Sequence, residues 1–568
     1  MAAQARAGLD APAKAILITA AVLAAALILV PLSVMVIAAF RGPADYLPFE
    51  PEARWTLANI VRLYAGSALF QRVLPDTLKA VGGTVVLTSC FAFTLAWLIE
   101  RTDLPGRGLV YVLALFPLFV PVNVLAVGWI FLLGPNAGWL NVGLRSFFGF
   151  SGGGPLNVFS MPGLILCQSL ALTPYMFILL SATIRTMNPS LEEASATSGA
   201  SPLATFRRVT LPVLLPGLLA PVILILIIAM EQFELPLMIG LPARLNIFSY
   251  RIYLELNPAD GLPNYGAAAA ISFVFLFISV LLLLGYNRAI RQAEKFTTVT
   301  GKAYRQRRLP LGRWRGPALA FVALYAALAA VLPAVVLVTT SLTGYGSTGV
   351  SFDAYRNLFA DPRFWLAARN TLVVATLSAI VVTALGGLLG WIIVRTDFRW
   401  RRALDFLSFM SIGIPSVIVG LAIMMVFLSV PNAIYGTVWI LLIAYCGRLA
   451  TTTRTARAGL MQIHPELEEA SATSGARWLT TQVRIVLPLL GPALLSAFVL
   501  FFIIGVREFT IPLVLASDEN MVLAVLVWRL YQGGNAAATA ALATVIIGLM
   551  LPLILLVRHL WQTRVVMD

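Results

Sequence analysis

The stretch Leu191-Glu192-Glu193-Ala194-Ser195-Ala196-Thr197-Ser198-Gly199-Ala200 occurs a second time, without a change, at Leu467–Ala476. Each copy lies in a polar segment between strongly apolar ones. Each is followed at the same distance by a Leu-Pro pair, Leu211-Pro212 in the first case and Leu487-Pro488 in the second. A chain that keeps two identical polar loops between apolar segments is expected to present two copies of one docking surface.

The composition around these loops is that of a membrane protein. The 568 residues are 60% hydrophobic and only 11% charged, which leaves too little polar surface for a soluble chain of this length. A helix needs about 20 apolar residues to cross a bilayer, and none of the apolar runs alternates as barrel strands do. We therefore predict an all-α polytopic membrane protein with about 12 transmembrane helices, at about 15–40, 77–99, 108–133, 156–184, 213–240, 265–287, 317–341, 371–394, 404–429, 436–460, 489–515 and 536–557.

The net charge of +15 reflects membrane topology better than nucleic-acid binding, because basic residues mark the cytoplasmic side of a polytopic protein. With the N-terminus inside, the cytoplasmic segments carry 26 Lys and Arg residues and the external segments carry 11. The largest contribution to the cytoplasmic charge comes from the linker 288–315, which contains nine basic residues and one acid, Glu294. The charge bias therefore places both repeated loops and both termini in the cytoplasm, and we expect no nucleic-acid partner.

The residue types that usually build metal or catalytic sites are scattered. Cys90, Cys167 and Cys446 all lie inside apolar segments, where packing is the expected role. His464 and His559 have no neighbouring His or Cys. We therefore predict no catalytic residues, no metal ligands and no cofactor in this chain.

The duplication extends well beyond the loop. Arg101-Thr102-Asp103 recurs as Arg395-Thr396-Asp397, 294 residues later, and after the third helix of each half the offset becomes 276. We place the 18-residue difference in the Gly-rich segment Gly134–Pro155. Each half has six predicted helices, so the repeats are parallel, related by a pseudo-two-fold axis along the membrane normal. The predicted domains are a leading helix with an external segment (1–73), a first transmembrane domain (74–287), a basic cytoplasmic linker (288–316), a second leading helix with an external segment (317–369), a second transmembrane domain (370–560) and a cytoplasmic tail (561–568).

The repeated loop is predicted to form a helical hairpin. Asn188 is a suitable N-cap with Pro189 at the first helical position, and Gly199 suits a left-handed helix stop. A second helix is expected from Ser201-Pro202 until Pro212 breaks it. The alternative is that each loop is an ordinary interhelical hairpin without a docking role.

At this point the residues resemble the EAA motif of binding-protein-dependent ABC importer permeases of type I, whose fold is that of methionine permeases. That motif is Glu-Ala-Ala, three residues, Gly, nine residues, Ile, one residue, Leu-Pro. Both copies here have Ser at the third position, and the first has Val209 for Ile. The resemblance covers both predicted transmembrane domains and implies two parallel six-helix permease repeats. The fused form resembles ferric-iron importer permeases most.

The resemblance also implies partners and a multi-pass location in the bacterial inner membrane. In this family the motif is a coupling helix that fits a groove of the ATPase, so two copies of a cytoplasmic ATPase would bind this chain. ATP and Mg would be bound by that partner, since no phosphate-binding loop occurs here. A periplasmic or lipid-anchored solute-binding protein would deliver substrate from outside, and lipid surrounds the chain. The implied coupling residues are Glu193, Ala194, Gly199, Leu211, Pro212, Glu469, Ala470, Gly475, Leu487 and Pro488.

A second candidate site lies at the predicted external ends of the fifth and eleventh helices. Ionisable residues there are costly in lipid and should face a cavity or a partner. They form either an external gate and substrate path or a paired structural cluster. Pro236 and Pro512 should kink or end the two helices at matching places. The candidate residues are Glu231, Gln232, Phe233, Glu234, Arg507, Glu508 and Phe509.

The cargo expected from the resemblance is ferric iron, with thiamine, phosphonate, polyamine or sulfate as alternatives. The rival class is an ion-coupled secondary transporter, which would need functional charge near the midplane and no duplicated cytoplasmic docking loop. We expect a transport pore that is not itself an enzyme.

Overall fold

The computed structural model describes residues 10–43, 45–65, 69–149, 152–185, 187, 190–258, 260–294, 308–343, 349–430 and 433–565. The predicted helix start at Asn188 and Pro189 lies outside these residues, as does the middle of the predicted basic linker, 295–307. The described chain is almost entirely helical, and its strands are one antiparallel pair of two-residue strands, β1 (Arg41–Gly42) and β2 (Arg54–Trp55).

The helices follow each other in two comparable series. The first half contains α1 (Ala11–Ala39), α2 (Ala58–Ala65), α3 (Leu74–Arg101), α4 (Arg107–Phe119), α5 (Val122–Leu133), α6 (Trp139–Phe148), α7 (Met161–Arg185), α8 (Ser190–Thr197), α9 (Pro202–Thr205), α10 (Leu211–Glu231), α11 (Phe248–Leu256) and α12 (Tyr265–Glu294). The second half contains α13 (Arg315–Ala326), α14 (Leu332–Thr343), α15 (Asp353–Ala360), α16 (Pro362–Arg395), α17 (Arg401–Met410), α18 (Ser416–Leu428), α19 (Val438–Cys446), α20 (Ala450–Met461), α21 (Glu466–Thr473), α22 (Trp478–Thr481), α23 (Leu487–Arg507), α24 (Thr510–Val514), α25 (Leu523–Gln532) and α26 (Ala536–Val565).

The prediction of an all-α polytopic membrane protein is confirmed. Within the described ranges, eight helices are long and apolar enough to cross a bilayer, and α4 with α5 passes the same test as a pair bent by 105°. The other three predicted spans coincide with α17 and α18, with α19 and α20, and with α26. Each of the twelve predicted segments is therefore mainly helical, although five of them are interrupted: 108–133, 213–240, 404–429, 436–460 and 489–515.

Both repeated loops lie on one face of the helix bundle. The backbone of Leu309 is hydrogen-bonded to that of Arg101 (2.8 Å) and Asp103 (3.2 Å), so α13 begins beside the end of α3. Helices α13 and α14 cross the bundle together, and α16 crosses back to end at Arg395. We call this end of the bundle the loop face and the opposite end the far face. The assignment of the loop face to the cytoplasm stays a prediction.

Leu-Pro pairs shape the membrane helices in a way that the sequence interpretation missed. The described residues contain five π-helical turns, and each is followed directly by Leu-Pro. Proline lacks the N–H that would continue an α-helix, and its ring clashes with the carbonyl four residues earlier. A wider turn avoids the clash, as when the amide of Leu211 donates to the carbonyl of Phe206 five residues back. The turns are Leu69–Val73, Phe206–Thr210, Pro236–Gly240, Ala327–Val331 and Gln482–Val486.

The expectation that Pro212 breaks the second loop helix is therefore wrong. The chain from α9 continues through its π turn into α10, and the chain from α22 continues likewise into α23. Each hairpin is thus joined to a membrane helix without a loop.

The fifth and eleventh predicted helices are shorter than expected. Helix α10 ends at Glu231 and α23 ends at Arg507, whereas the predicted segments ran to 240 and 515. The two end points are equivalent, 276 residues apart, so the predicted match between the halves is confirmed. The ends precede Pro236 and Pro512 because Gln232 and Glu508 already have extended backbone angles.

The leading helix of each half packs against the other half. Helix α1 contacts α16 and α18, and α14 contacts α5. Two glycines permit this close approach: a Cβ at Gly128 would lie 2.9 Å from Cβ of Pro333, and one at Gly447 would lie 3.3 Å from the carbonyl oxygen of Leu27. The two halves are therefore interlocked by their first helices.

The 18-residue insertion of the first half contains α6 and is held by one buried side chain. The amide nitrogen of Asn141 donates to the carbonyls of Gly134 (2.8 Å) and Leu156 (2.7 Å), and its oxygen accepts from the amide of Leu156 (3.0 Å). This closes the inserted segment onto itself at the far face.

Replacing Gly128 with valine should destabilise the pairing of the halves. The added side chain meets the backbone of Pro333, and overpacking of this kind costs about 1–3 kcal/mol. We expect a lower thermal midpoint in detergent. Gly285→Val is the matched control, because a Cβ there meets no atom within 4 Å. An equal loss of stability in both variants would contradict the close packing.

Candidate functional site

Each copy of the repeated sequence forms an eight-residue helix, α8 or α21, with the same pattern of exposure. In the first copy Leu191, Glu193 and Ala194 are exposed, whereas Glu192 and Ser195 are partly buried against the bundle. The equivalent residues of α21 repeat this pattern position by position. The two helices therefore present the same outward surface. We call the outward surface of each of these two helices its docking surface.

An ion pair joins each of these helices to the end of a membrane helix. Arg101, which is 1% exposed, pairs with Glu192, and Arg395 pairs with Glu468 at 2.8 Å. Arg101 and Arg395 occupy equivalent positions in the repeated Arg-Thr-Asp segment, and the two glutamates occupy equivalent positions in the repeated decamer. The two duplicated motifs are thus in direct contact in both halves.

The serine at the third motif position has a defined partner. Ser195 Oγ lies 2.8 Å from Thr205 Oγ1, and Ser471 Oγ lies 2.8 Å from Thr481 Oγ1. Each bond ties the first helix of a hairpin to the second. The departure from alanine in the EAA pattern therefore adds a hydrogen bond inside each hairpin.

Both motif glycines end their helices in the left-handed conformation, as predicted. Gly199 and Gly475 each have φ +80°, and a Cβ at either position would meet no atom within 4 Å. The following amides, those of Ala200 and Ala476, donate to the carbonyls of Ser195 and Ser471 (3.1 Å each). The turn needs glycine for its backbone, while the space beyond it is open.

The surroundings of the two ion pairs differ. Glu192 also accepts a hydrogen bond from Thr210 Oγ1 (2.7 Å), and Arg101 lies over the Trp97 ring at 5.7 Å. Glu468 accepts instead from Trp391 Nε1 (3.0 Å). The sequence interpretation paired neither glutamate with an arginine. Both partners of each pair lie in duplicated motifs, the Arg-Thr-Asp segment and the decamer, and this shared duplication was the signal that could have found these pairs.

The predicted path residues come together where the two halves meet. Arg448 lies at the break between α19 and α20 and reaches carboxylates of both halves. Its guanidinium donates to Glu508 (2.8 Å) in the second half and to Glu231 (3.2 Å) in the first. Ser416, at the start of α18, also donates to Glu231 (3.1 Å).

Around this cluster the contacts follow the pseudo-two-fold axis. Glu231 at the end of α10 reaches Ser416 beside the break between α17 and α18, and Arg507 at the end of α23 reaches the carbonyl of Leu118 beside the break between α4 and α5. The rings of Phe233 and Phe509, which are equivalent residues, lie 6.2 Å apart. We call this region the junction.

Other predicted path residues complete the junction. Thr510 donates to Glu234 across the halves (3.3 Å). The backbone carbonyl of Gln232 accepts from Ser249 (2.7 Å). Arg448 and Ser416 were not among the predicted site residues. Leu172 stands 276 residues before Arg448, and this unmatched charge was the available signal. The roles of the path and coupling residues stay predictions.

The described residues contain no group of three or more His, Cys, Asp or Glu side chains that could hold a metal ion. The arrangement is instead that of two identical surface helices, each tied by a buried ion pair and a continuous helix to a polar junction between two half-pores.

The sequence matches the family model for the binding-protein-dependent transport system inner membrane component at residues 89–295 and again at 382–565. The chain belongs to this family. It is the permease subunit of a binding-protein-dependent importer and a multi-pass membrane protein, as the resemblance implied. The two matched ranges correspond to the two structural halves.

Relatives align along most of the chain. The ferric transport system permease protein FbpB of Actinobacillus pleuropneumoniae is 27% identical over 528 residues, covering 89% of this chain and 72% of the relative. The Fe(3+)-transport system permease protein FbpB 2 of Haemophilus influenzae is 23% identical over 490 residues, covering 83% and 88%. A solved bacterial ABC transporter for alginate import aligns with 44% of this chain and 96% of its own at 18% identity and a TM-score of 0.36.

Breaking the ion pair of the second half should loosen α21. Arg395→Gln removes the charged partner of Glu468, and loss of one partner of a buried pair is strongly destabilising. We expect amide hydrogen exchange in Glu466–Thr473 to become about tenfold faster or more, as local opening becomes easier.

Asp397→Asn is the control for this measurement, because it removes a more exposed pair with Arg401 (3.3 Å) that contributes little. Unchanged exchange in α21 of the Arg395→Gln variant would show that the ion pair does not hold the helix.

Proposed function

We propose that this chain forms the whole translocation pore of an importer for ferric iron, driven by two copies of a separate ATPase that bind α8 and α21. One observation carries the proposal: the chain presents the same outward helix surface twice on one face, with the same ion-pair anchor. A partner with its own two-fold symmetry fits such a pair of sites.

Each docking surface has a composition suited to a protein groove. Leu191 and Leu467 are 50% and 45% exposed, and each is followed by an exposed acid, Glu193 or Glu469. Exposed leucines that recur at equivalent places support a partner more than chance exposure does. The predicted coupling residues Ala194, Gly199, Ala470 and Gly475 lie on the same helices or at their ends, and Leu211-Pro212 and Leu487-Pro488 begin the membrane helices behind them.

The connection from the docking surface to the junction supports a coupling role. Helix α10 follows the first hairpin without a loop and ends at Glu231, about 30 Å away at ~1.5 Å per residue. Helix α23 repeats this connection and ends at Arg507. A tilt of either hairpin would therefore move an end of a helix at the junction.

The remaining partners and the orientation follow from the same proposal. ATP and Mg belong to the partner ATPase, and this chain contributes no catalytic residue and no cofactor. The solute-binding protein docks on the far face, at the periplasmic side. The loop face and both termini are cytoplasmic, in agreement with the charge bias of the sequence.

The cargo is proposed from the relatives, two of which are named as ferric iron permeases and align over most of this chain. The test is reconstitution of the chain with its ATPase and binding protein in vesicles. ATP hydrolysis should rise when the binding protein is loaded with ferric iron, and labelled iron should enter the vesicles. Uptake that continues without any ATPase and stops with the proton gradient would favour the secondary transporter instead.

Replacing Gly475 with tryptophan should uncouple ATP hydrolysis from uptake. The side chain would project into open space where the ATPase groove is proposed, and the left-handed backbone adds strain of about 1–2 kcal/mol. We expect iron uptake per ATP hydrolysed to fall, as measured in the reconstituted vesicles. The equivalent change at Gly199 should act in the same way.

Gly475→Ala is the matched control, because a Cβ at the same left-handed position (φ +80°) carries the backbone strain but adds almost no bulk to the docking surface. Equal uncoupling by both variants would attribute the effect to strain and would count against docking at α21.

A further inference from the structure

The carboxylate of Glu231 belongs to the first half but is held by the second. Its hydrogen-bond partners among the described residues are Ser416 Oγ (3.1 Å) and Arg448 Nη2 (3.2 Å). Arg448, in contrast, keeps a partner in its own half, since it also donates to Glu508 (2.8 Å). If the halves part at the junction, Arg448 stays paired and Glu231 loses both contacts.

The charge of Arg448 has no counterpart across the pseudo-two-fold axis. The equivalent residue is Leu172, which lies inside the uninterrupted helix α7. In the second half the helix is interrupted between Cys446 and Ala450, and the interruption carries the arginine to the junction. The break and the charge occur together, so the second half supplies the junction with a cation that has no equivalent in the first half.

The cluster is partly buried and keeps some contact with solvent. The side chains of Glu231, Glu508 and Arg448 are 16%, 10% and 21% exposed, although they lie at the ends or breaks of membrane helices. An ion pair at such a place holds the two halves together, and it keeps solvent out of the junction only while it is intact. Ionisable groups at membrane depth are costly and are retained where they line an ion or substrate pathway.

We propose that Glu231 is a binding residue for a cationic cargo in the translocation path, and that Arg448 occupies it as a built-in counter-ion while the pore is closed. The assignment rests on the importer function proposed above. When the halves part, Glu231 is released from Ser416 and Arg448 and meets the passing cation. When the halves close, the guanidinium of Arg448 returns to the carboxylate of Glu231 and displaces the cation.

The charges of the junction favour a cation over an anion. Three carboxylates, those of Glu231, Glu234 and Glu508, meet two guanidinium groups, those of Arg448 and Arg507. The junction therefore has an excess of one negative charge. This charge becomes available to a passing cation at Glu231 when the halves part. The absence of a metal-binding cluster in the described part of the chain fits a transit point, because a passing ion must be bound weakly enough to leave.

The decisive variant is the charge exchange Glu231→Arg with Arg448→Glu. The exchange keeps one arginine and two carboxylates among these three positions and still places unlike charges at positions 231 and 448, although the new carboxylate at position 448 lies beside Glu508. On opening, however, the released side chain is an arginine. We expect the complete importer carrying both changes to have a higher thermal midpoint than the importer carrying Arg448→Glu alone, and to lose iron uptake by at least about tenfold, since the passing cation now meets a like charge.

Single changes at Glu231 test the same point without the exchange. Glu231→Gln should lower iron uptake per ATP hydrolysed by at least about tenfold, because a charge-assisted contact is lost, whereas Glu231→Asp should keep most of it. The control exchange is Asp353→Arg with Arg356→Asp, an exposed pair on α15. It should leave uptake unchanged.

The outcomes separate the two proposals. Wild-type uptake of iron together with normal uptake by the exchanged variant would overturn the role of Glu231 and leave the importer function intact. Equal uptake by Glu231→Gln and wild type would do the same. Import of an anion in place of iron by the wild-type complex would overturn the proposed cargo and this assignment together.

Discussion

The ion pair between the end of a membrane helix and the repeated loop is the interaction on which the rest of the arrangement depends. Arg101 with Glu192, and Arg395 with Glu468, hold two surface helices in the same orientation against two half-pores. Breaking one partner of a buried pair costs about 3–5 kcal/mol, far more than an eight-residue helix gains by itself in water. Without these pairs, the identical outward surfaces of α8 and α21 would have no fixed relation to the membrane helices behind them.

Much of this architecture could be predicted because hydropathy, duplication and motif spacing are local patterns. The twelve apolar segments, the left-handed Gly199 and Gly475, and the matching ends of α10 and α23 all follow from neighbouring residues. The ion pairs do not, because Glu192 lies 91 residues from Arg101 and Glu468 lies 73 from Arg395. Arg448 was not predicted as a site residue, since its partners lie 60 and 217 residues away.

The interpretation of the prolines failed for a different reason. A rule that proline ends a helix considers the missing N–H alone, and it predicted a break at Pro212. The structure satisfies the backbone with a wider turn, so that Leu211 bonds to Phe206 and the helix continues. In hydrocarbon an interrupted backbone would leave polar groups without water, which makes a distorted but continuous helix the less costly solution. Each π turn in the described residues therefore precedes a Leu-Pro pair, although Leu215-Pro216 and Leu551-Pro552 lie in α-helices without one.

Arg448, the arginine without an equivalent in the first half, has a consequence for how such a pore can be assembled. Two identical subunits around a two-fold axis contribute every charge twice, so a residue near their axis faces its own copy and the total is even. One covalent chain with two diverged halves is free of that constraint. Arg448 stands opposite Leu172, and the odd number of charges around Phe233 and Phe509 leaves one carboxylate in excess. Joining two half-pores in one polypeptide thus allows an odd number of charges at the axis. The symmetry of a dimer of identical subunits excludes such an arrangement.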